Sequence, residues 1–187
     1  MLLLSYFDRI MGPLVFLTNP QNLANELEEG YVEQINSLLD TENNGFFTHN
    51  FSPELKTANC LFKIDSIWAR GRSELAMISA IVSEEEPDYT TYEEVLSKFV
   101  EKIKNIPEIF KAFYINKGPT EEEEEIQSKF SLLKEELNNL YKILAIKKIE
   151  TEGQLVEFTK LKKDKVIELS DGAVNKLSKI MFGIFFV

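Results

Sequence analysis

Few residues of this chain are of a type and spacing that supports chemistry. The one histidine, His49, stands in "FFTHNF" with no His, Cys or carboxylate at the spacing that metal ligation or nucleophilic catalysis needs. It reads as a strand-surface residue. The one cysteine, Cys60, falls on the apolar side of an alternating stretch and packs as a small hydrophobe, with no intrachain disulfide open to it. Glu121 to Glu125 are consecutive carboxylates. They suit either an acidic patch or the start of a helix, where the positive end of the dipole favours them, and the solvated helix start is preferred. The lysine-rich "IKKIE" and "KLKKDKVIE" suit either an anionic lipid surface or a solvated face, and the solvated face is preferred. There is no phosphate-binding loop, dinucleotide fingerprint, Gly-x-Ser-x-Gly or pair of Cys-x-x-Cys. No catalytic, cofactor-binding or metal-ligating residue is assigned. Carboxylates are plentiful enough that a small enzyme with a carboxylate-based site stays as an alternative.

Composition sets the frame for these residues. The chain has 187 residues, 44% of them apolar, enough for a core and too many for wholesale disorder. Its formal charge is -10, so the clustered phosphate contacts of a nucleic-acid binder are not expected. The opening run Leu2–Leu4 is too short for a signal-peptide core, and Asp8 and Arg9 follow it. No run of about 18 apolar residues occurs, so no membrane-spanning helix is expected. A single cysteine fits a reducing cytosol, and a cytoplasmic location is expected.

Two apolar runs, Leu2–Phe7 and Leu14–Leu17, flank "DRIMGP", where Gly12 and Pro13 punctuate the chain. They predict two strands, buried on both faces or central in a sheet. Residues 22–39 predict a helix, with Leu23, Leu27, Tyr31, Ile35 and Leu38 as its apolar stripe and Glu26, Glu29 and Glu33 outside it. Three strands follow, over 46–51, 57–68 and 74–82. In the second, Cys60, Phe62, Ile64 and Ser66 alternate with Lys63 and Asp65, the pattern of a half-exposed antiparallel strand. A helix begins near Thr90 or Thr91, with Thr91 and Glu94 at capping-box spacing, and ends or kinks at Pro107. A further helix after Pro119 carries Ile126, Phe130, Leu133, Leu137, Leu140 and Leu144 as a heptad seam. The seam docks within its own domain or pairs with a partner chain, and internal docking is preferred. Residues 151–187 form a C-terminal extension, hairpin or helix, beyond a domain over 1–150.

The order strand, strand, helix, three strands, helix, helix resembles the longin domain, a relative of the roadblock fold. "YFDRIMGPLVFL" is similar to the first hairpin of longin domains in GTPase regulators of the folliculin, DENN and nitrogen-permease-regulator-like groups, with Phe7, Gly12 and Pro13 as the matching residues. The resemblance covers residues 1–150. It implies an α+β, three-layer α/β/α fold: a five-stranded antiparallel sheet with one helix on one face and two on the other, and the opening hairpin central. It implies a non-enzymatic platform without a cofactor, which regulates or binds a small Ras-like GTPase in trafficking or signalling. Another longin or roadblock chain, or a second copy, is an equally expected partner. Glu26, Glu29 and Glu33 are the candidate partner-binding residues, because the corresponding helix commonly lines longin pair interfaces. A SNARE-type longin protein is disfavoured, since the heptads run for under three repeats and no anchor follows. A membrane-peripheral trafficking adaptor, touching lipid weakly through the C-terminal basic and apolar tail, is the other alternative. The Lys-, Glu-, Ile-, Asn- and Phe-rich usage suits an AT-rich genome, and an archaeon with eukaryote-like trafficking proteins is one source that would fit it.

Overall fold

The opening hairpin forms where the apolar runs predict it, as β1 (Leu2–Asp8) and β2 (Gly12–Asn19). Gly12 sits at φ 81, a turn conformation that favours glycine. Helix α1 (Tyr31–Ser37) runs into one 3-10 turn, Leu38–Asp40. Strands β3 (Gly45–Asn50), β4 (Lys56–Asp65) and β5 (Ser73–Val82) follow. Helix α2 (Tyr89–Lys104), a 3-10 segment (Ile109–Tyr114) and helix α3 over 123–147 complete the described chain. The computed structural model describes residues 1–21, 30–41, 44–82, 84, 87–117 and 121–147. The predicted C-terminal extension over 151–187 lies outside them. The architecture is α+β, with one open antiparallel sheet in the order β2-β1-β5-β4-β3. Residues Met1–Leu144 make one compact unit.

The two-residue period of each strand sorts its side chains onto two cores. Leu2, Leu4 and Tyr6 of β1, Cys60, Phe62 and Ile64 of β4, and Ile78 and Val82 of β5 share a core with α2, the second 3-10 segment and α3. Leu3, Leu61, Met77 and Ile81 share the other with Ile35, Leu38 and Leu39. By the same alternation this second face takes Ser5, Thr57, Asn59 and Ser79, all buried. The Ser5 hydroxyl donates to Asn36 Oδ1 at 2.6 Å, which ties α1 to β1.

Four expectations need correction. The hairpin is not central as a whole: β1 lies inside the sheet, while β2 is an edge strand and half-buried throughout. Pro13 is tolerated there because an edge strand can spare a ladder donor. Strand β4 is not half-exposed. Thr57–Phe62 are buried because both faces of the sheet are covered, and exposure is confined to Lys63 and Asp65 near its end. The helix expected over 22–39 does not pass through Gly30, whose φ of 97 is outside the helical range, so α1 starts at Tyr31; residues 22–29 lie outside the described set. Helix α2 starts earlier than expected and is capped by Asp88. Asp88 Oδ1 accepts from the Thr90 amide at 3.1 Å, and the Thr91 hydroxyl donates to Asp88 Oδ2 at 2.8 Å. Thr91 therefore sits inside the first turn and is not the cap.

The heptad seam docks within the chain. Ile126, Leu133, Leu137 and Leu140 are buried, and Phe130 and Leu144 pack against the same core. The Phe130 ring meets Phe16 of β2 at 5.6 Å, and Phe16 meets Phe113 at 5.0 Å. Lys102 of α2 pairs with Glu136 of α3 at 2.6 Å. Leu137 is only 1% exposed. Leu137→Ala should lower the unfolding free energy by about 2–5 kcal/mol, from lost burial and the cavity left behind. Leu137→Asp should cost more, because a lone carboxylate would be buried. Urea titration of each variant checks this; unfolding of the Asp variant at the wild-type midpoint would show that the seam is not core.

Candidate interaction surface

Of the three carboxylates expected to meet a partner, Glu33 stands exposed on α1. Glu26 and Glu29 lie outside the described residues, so the expected acidic triad is not assembled among them. His49 is exposed on edge strand β3, its ring 4.4 Å from that of Phe51, in keeping with a strand-surface residue. Cys60 is buried, and burial pushes its thiol up to about 11, so it is an inert core residue at neutral pH.

The structure does bring residues together at one end of the sheet. The β1–β2 and β4–β5 turns adjoin there because β1 and β5 are neighbours, with Tyr6 opposite Ala76. The Arg9 guanidinium donates to the Trp68 carbonyl at 3.3 Å and joins the two turns. Asp8 Oδ1 accepts from the amides of Ile10 at 2.8 Å and Met11 at 3.1 Å. Lys117 Nζ lies 3.1 Å from Asp8 Oδ2. The two backbone amides, then Lys117, hold the Asp8 carboxyl down at about 2. In the other turn the Ser66 hydroxyl accepts from the Ala69 amide at 3.1 Å, and the Arg72 amide donates to the Ala69 carbonyl at 2.9 Å. Behind both turns Glu74 is buried and accepts from the Tyr114 hydroxyl at 2.6 Å and the Ser66 hydroxyl at 3.0 Å. Burial, and then Glu74, push the Tyr114 phenol up to about 12.

The acidic run is only partly a solvated helix start. Lys111 is 5% exposed, and its ammonium meets Glu125, Glu122 at 2.6 Å and Glu108 at 3.2 Å. It also lies 5.6 Å from the centroid of the Trp68 ring. Glu122 and Glu125 hold the Lys111 ammonium well above the ordinary lysine range. Trp68 packs edge-on against Phe110 at 5.4 Å and Tyr114 at 4.9 Å. A shallow cleft of about 500 Å³ beside it is lined by Asp65, Ser66, Ile67, Arg72 and Phe110. On the outer side of the turns stand Ile10, Met11 and Ile67, exposed, with Arg9, Arg70 and Arg72 around them. Motif spacing gave no sign of this tip. Arginine usage would have done so: the chain's only arginines fall in "DRIM" and "IWARGR". This arrangement can dock a surface; no nucleophile and base are brought together there. Among the described residues, no group of His, Cys, Asp and Glu is placed to hold a metal ion, and no helix is long and apolar enough to cross a membrane. Compared with known proteins, the chain matches no family model and no curated protein.

Asp8 supplies stability above its unfolded pKa of 3.8, and that contribution is lost as pH falls towards the folded value of about 2. Asp8→Asn should cost up to about 2 kcal/mol at neutral pH, and the difference from wild type should shrink through that acid window. Denaturant titrations at pH 7 and across the acid range measure it; a pH-independent difference would exclude the carboxylate as its source.

Lys111 is buried while its glutamate partners keep substantial solvent contact. Removing the cation leaves carboxylates that rehydrate easily, whereas removing the carboxylates strands a covered ammonium. Glu122→Gln combined with Glu125→Gln should therefore lower Tm more than Lys111→Met. The reverse order in thermal melts would contradict this reading of the cluster.

Proposed function

We propose that the chain is a longin-like interaction module that acts in the cytoplasm. It binds a small Ras-like GTPase or another longin or roadblock chain, a second copy included. The observation that carries the reading is the order of elements taken with their packing: α1 shares the core on one face of a five-stranded antiparallel sheet, and α2 and α3 share the core on the other. We read this as the one-and-two helix layering that the "YFDRIMGPLVFL" hairpin first suggested. The heptad seam of α3 is spent on the core, which leaves partner binding to α1 and the open edges of β2 and β3. Glu33 on α1, with Glu26 and Glu29, is the acidic group offered to a basic partner surface.

Biolayer interferometry against purified Ras-like GTPases of the source organism, in both nucleotide states, and against its longin and roadblock chains, tests the reading. Binding by one of them is expected. Reversing the charge of Glu26, Glu29 and Glu33 together should then slow association and weaken its salt dependence, since rim charges act mainly through the on-rate. Unchanged association would remove α1 from the interface. Turnover of a small molecule by a chain that binds none of these partners would overturn the reading.

A further inference from the structure

The tip of the sheet carries large apolar side chains that the fold does not use. Ile10 is 92% exposed, Ile67 80% and Met11 71%. Around them stand Arg9, Arg70 and Arg72, the only arginines in the chain; every other basic residue of its 21 is lysine. All three are exposed, and among the described residues none is engaged in an ion pair. Arg72 sits at φ 58, in the left-handed region where glycine costs less, directly after Gly71. The side chain is kept against that backbone cost, although the fold makes no ion pair with it. Strain of this kind points to a use outside the fold.

We propose that this tip docks on an anionic lipid bilayer, with Ile10, Met11 and Ile67 entering the headgroup region and Arg9, Arg70 and Arg72 lying against lipid phosphates. Arginine suits that role because its planar fork pairs with phosphate oxygens and is weakly hydrated. Ile10, Met11 and Ile67 present most of their surface to solvent. A protein partner would need a recess shaped to fit them, whereas a bilayer interface accepts any apolar knob. The turns are also prepared for drying. Asp8 takes the amides of Ile10 and Met11, Ser66 takes the amide of Ala69, and Ala69 takes that of Arg72, so these donors lose no water when the tip is covered.

Of the net charge of -10, the part that acts on a bound surface is the part near the tip. Charges more than about 8 Å away are screened at physiological salt. At this end Asp8 is paired one-to-one with Lys117, Glu74 is buried under two hydroxyl donors, and Lys111 offsets one of the three charges of Glu108, Glu122 and Glu125. Asp65, Glu121, Glu123 and Glu124 are exposed, and Arg9, Arg70 and Arg72 are the cations on the outer side of the turns.

Flotation of the full chain with vesicles tests the proposal, and it does not depend on the GTPase reading. Vesicles of phosphatidylcholine mixed with phosphatidylserine should carry the protein, and vesicles of phosphatidylcholine alone should carry much less. Arg72→Gly relieves the strained backbone, so it should fold at least as well as wild type and still lose roughly fivefold in partitioning. Arg9→Gln, Arg70→Gln and Arg72→Gln together should abolish flotation. Ile10→Ser with Ile67→Ser, both at exposed positions, should lower partitioning about tenfold at unchanged charge. Absence of flotation on the mixed vesicles overturns the proposal. So does flotation that all these variants leave unchanged, which would assign lipid binding to another part of the chain. Loss of a confirmed protein partner by these variants, with no vesicle binding in wild type, would make the tip a protein-docking surface instead.

Discussion

Strand β5 is hydrogen-bonded to β1 on one side and β4 on the other, and it is buried on both faces. A strand in that position leaves the chain no choice but to cover both sides of the sheet. The two covers are unequal. One face holds aliphatic and aromatic side chains under α2, the 3-10 segment and α3. The other holds fewer apolar residues and admits Ser5, Asn36, Thr57, Asn59 and Ser79, of which Asn59 Oδ1 and Ser79 Oγ make no hydrogen bond among the described residues. Ser5 finds Asn36, and Asn59 finds Thr57. Helix α1 has only seven residues, below the length at which an isolated helix persists in water. It is held by Ile35, Leu38 and Leu39 in the core and oriented by the Ser5–Asn36 hydrogen bond.

The polar end of the sheet follows from the same constraint. The larger cover reaches beyond the strands, so the 3-10 segment brings Phe110, Lys111 and Tyr114 against the β4–β5 turn. Burying the stem of Lys111 requires carboxylates within reach of its ammonium. The turn leading into α3 supplies Glu122, the first turn of α3 supplies Glu125, and the residue before the 3-10 segment supplies Glu108. An acidic helix start therefore serves two ends, favouring the helix dipole and neutralising a covered cation.

Much of the fold was legible in the sequence because its signals were local. The strand pair around Gly12-Pro13, the stop of α2 before Pro107 and the four-three steps of the α3 seam each rest on neighbouring residues. What failed depended on distant neighbours. The runs of β1 and β2 look alike, and sheet order alone decides that one is interior and the other an edge. The alternation of Lys63 and Asp65 suggested an exposed face along all of β4, but it marks only the end of a strand whose remainder is covered. Gly30 lies within the helix predicted over 22–39, whereas its positive φ marks where α1 begins. The Lys111 cluster joins residues far apart in sequence, so no motif could announce it. Of the expected acidic triad, only Glu33 falls among described residues, on an exposed face as anticipated.

Exposed apolar side chains on a turn usually fold back against the nearest core, because each gains by leaving water. Here the turn geometry prevents it. Asp8 holds the amides of Ile10 and Met11 from the inside and is itself held by Lys117, whose ammonium lies 4.5 Å from the centroid of the Tyr114 ring. The turn is thus fixed with its side chains pointing away from the core. The β4–β5 turn is fixed in parallel through Ser66, which accepts the Ala69 amide while donating to buried Glu74. Arg9 spans the two turns through the Trp68 carbonyl. A polar network of this density costs desolvation at every member, and the core of the sheet does not need it. What it secures is a stiff platform on which Ile10, Met11 and Ile67 stay outside and the three arginines stay beside them. Ordering costs for binding at this end are therefore largely met in the folded chain, and that is the physical difference between a docking tip and a loop that merely happens to be greasy.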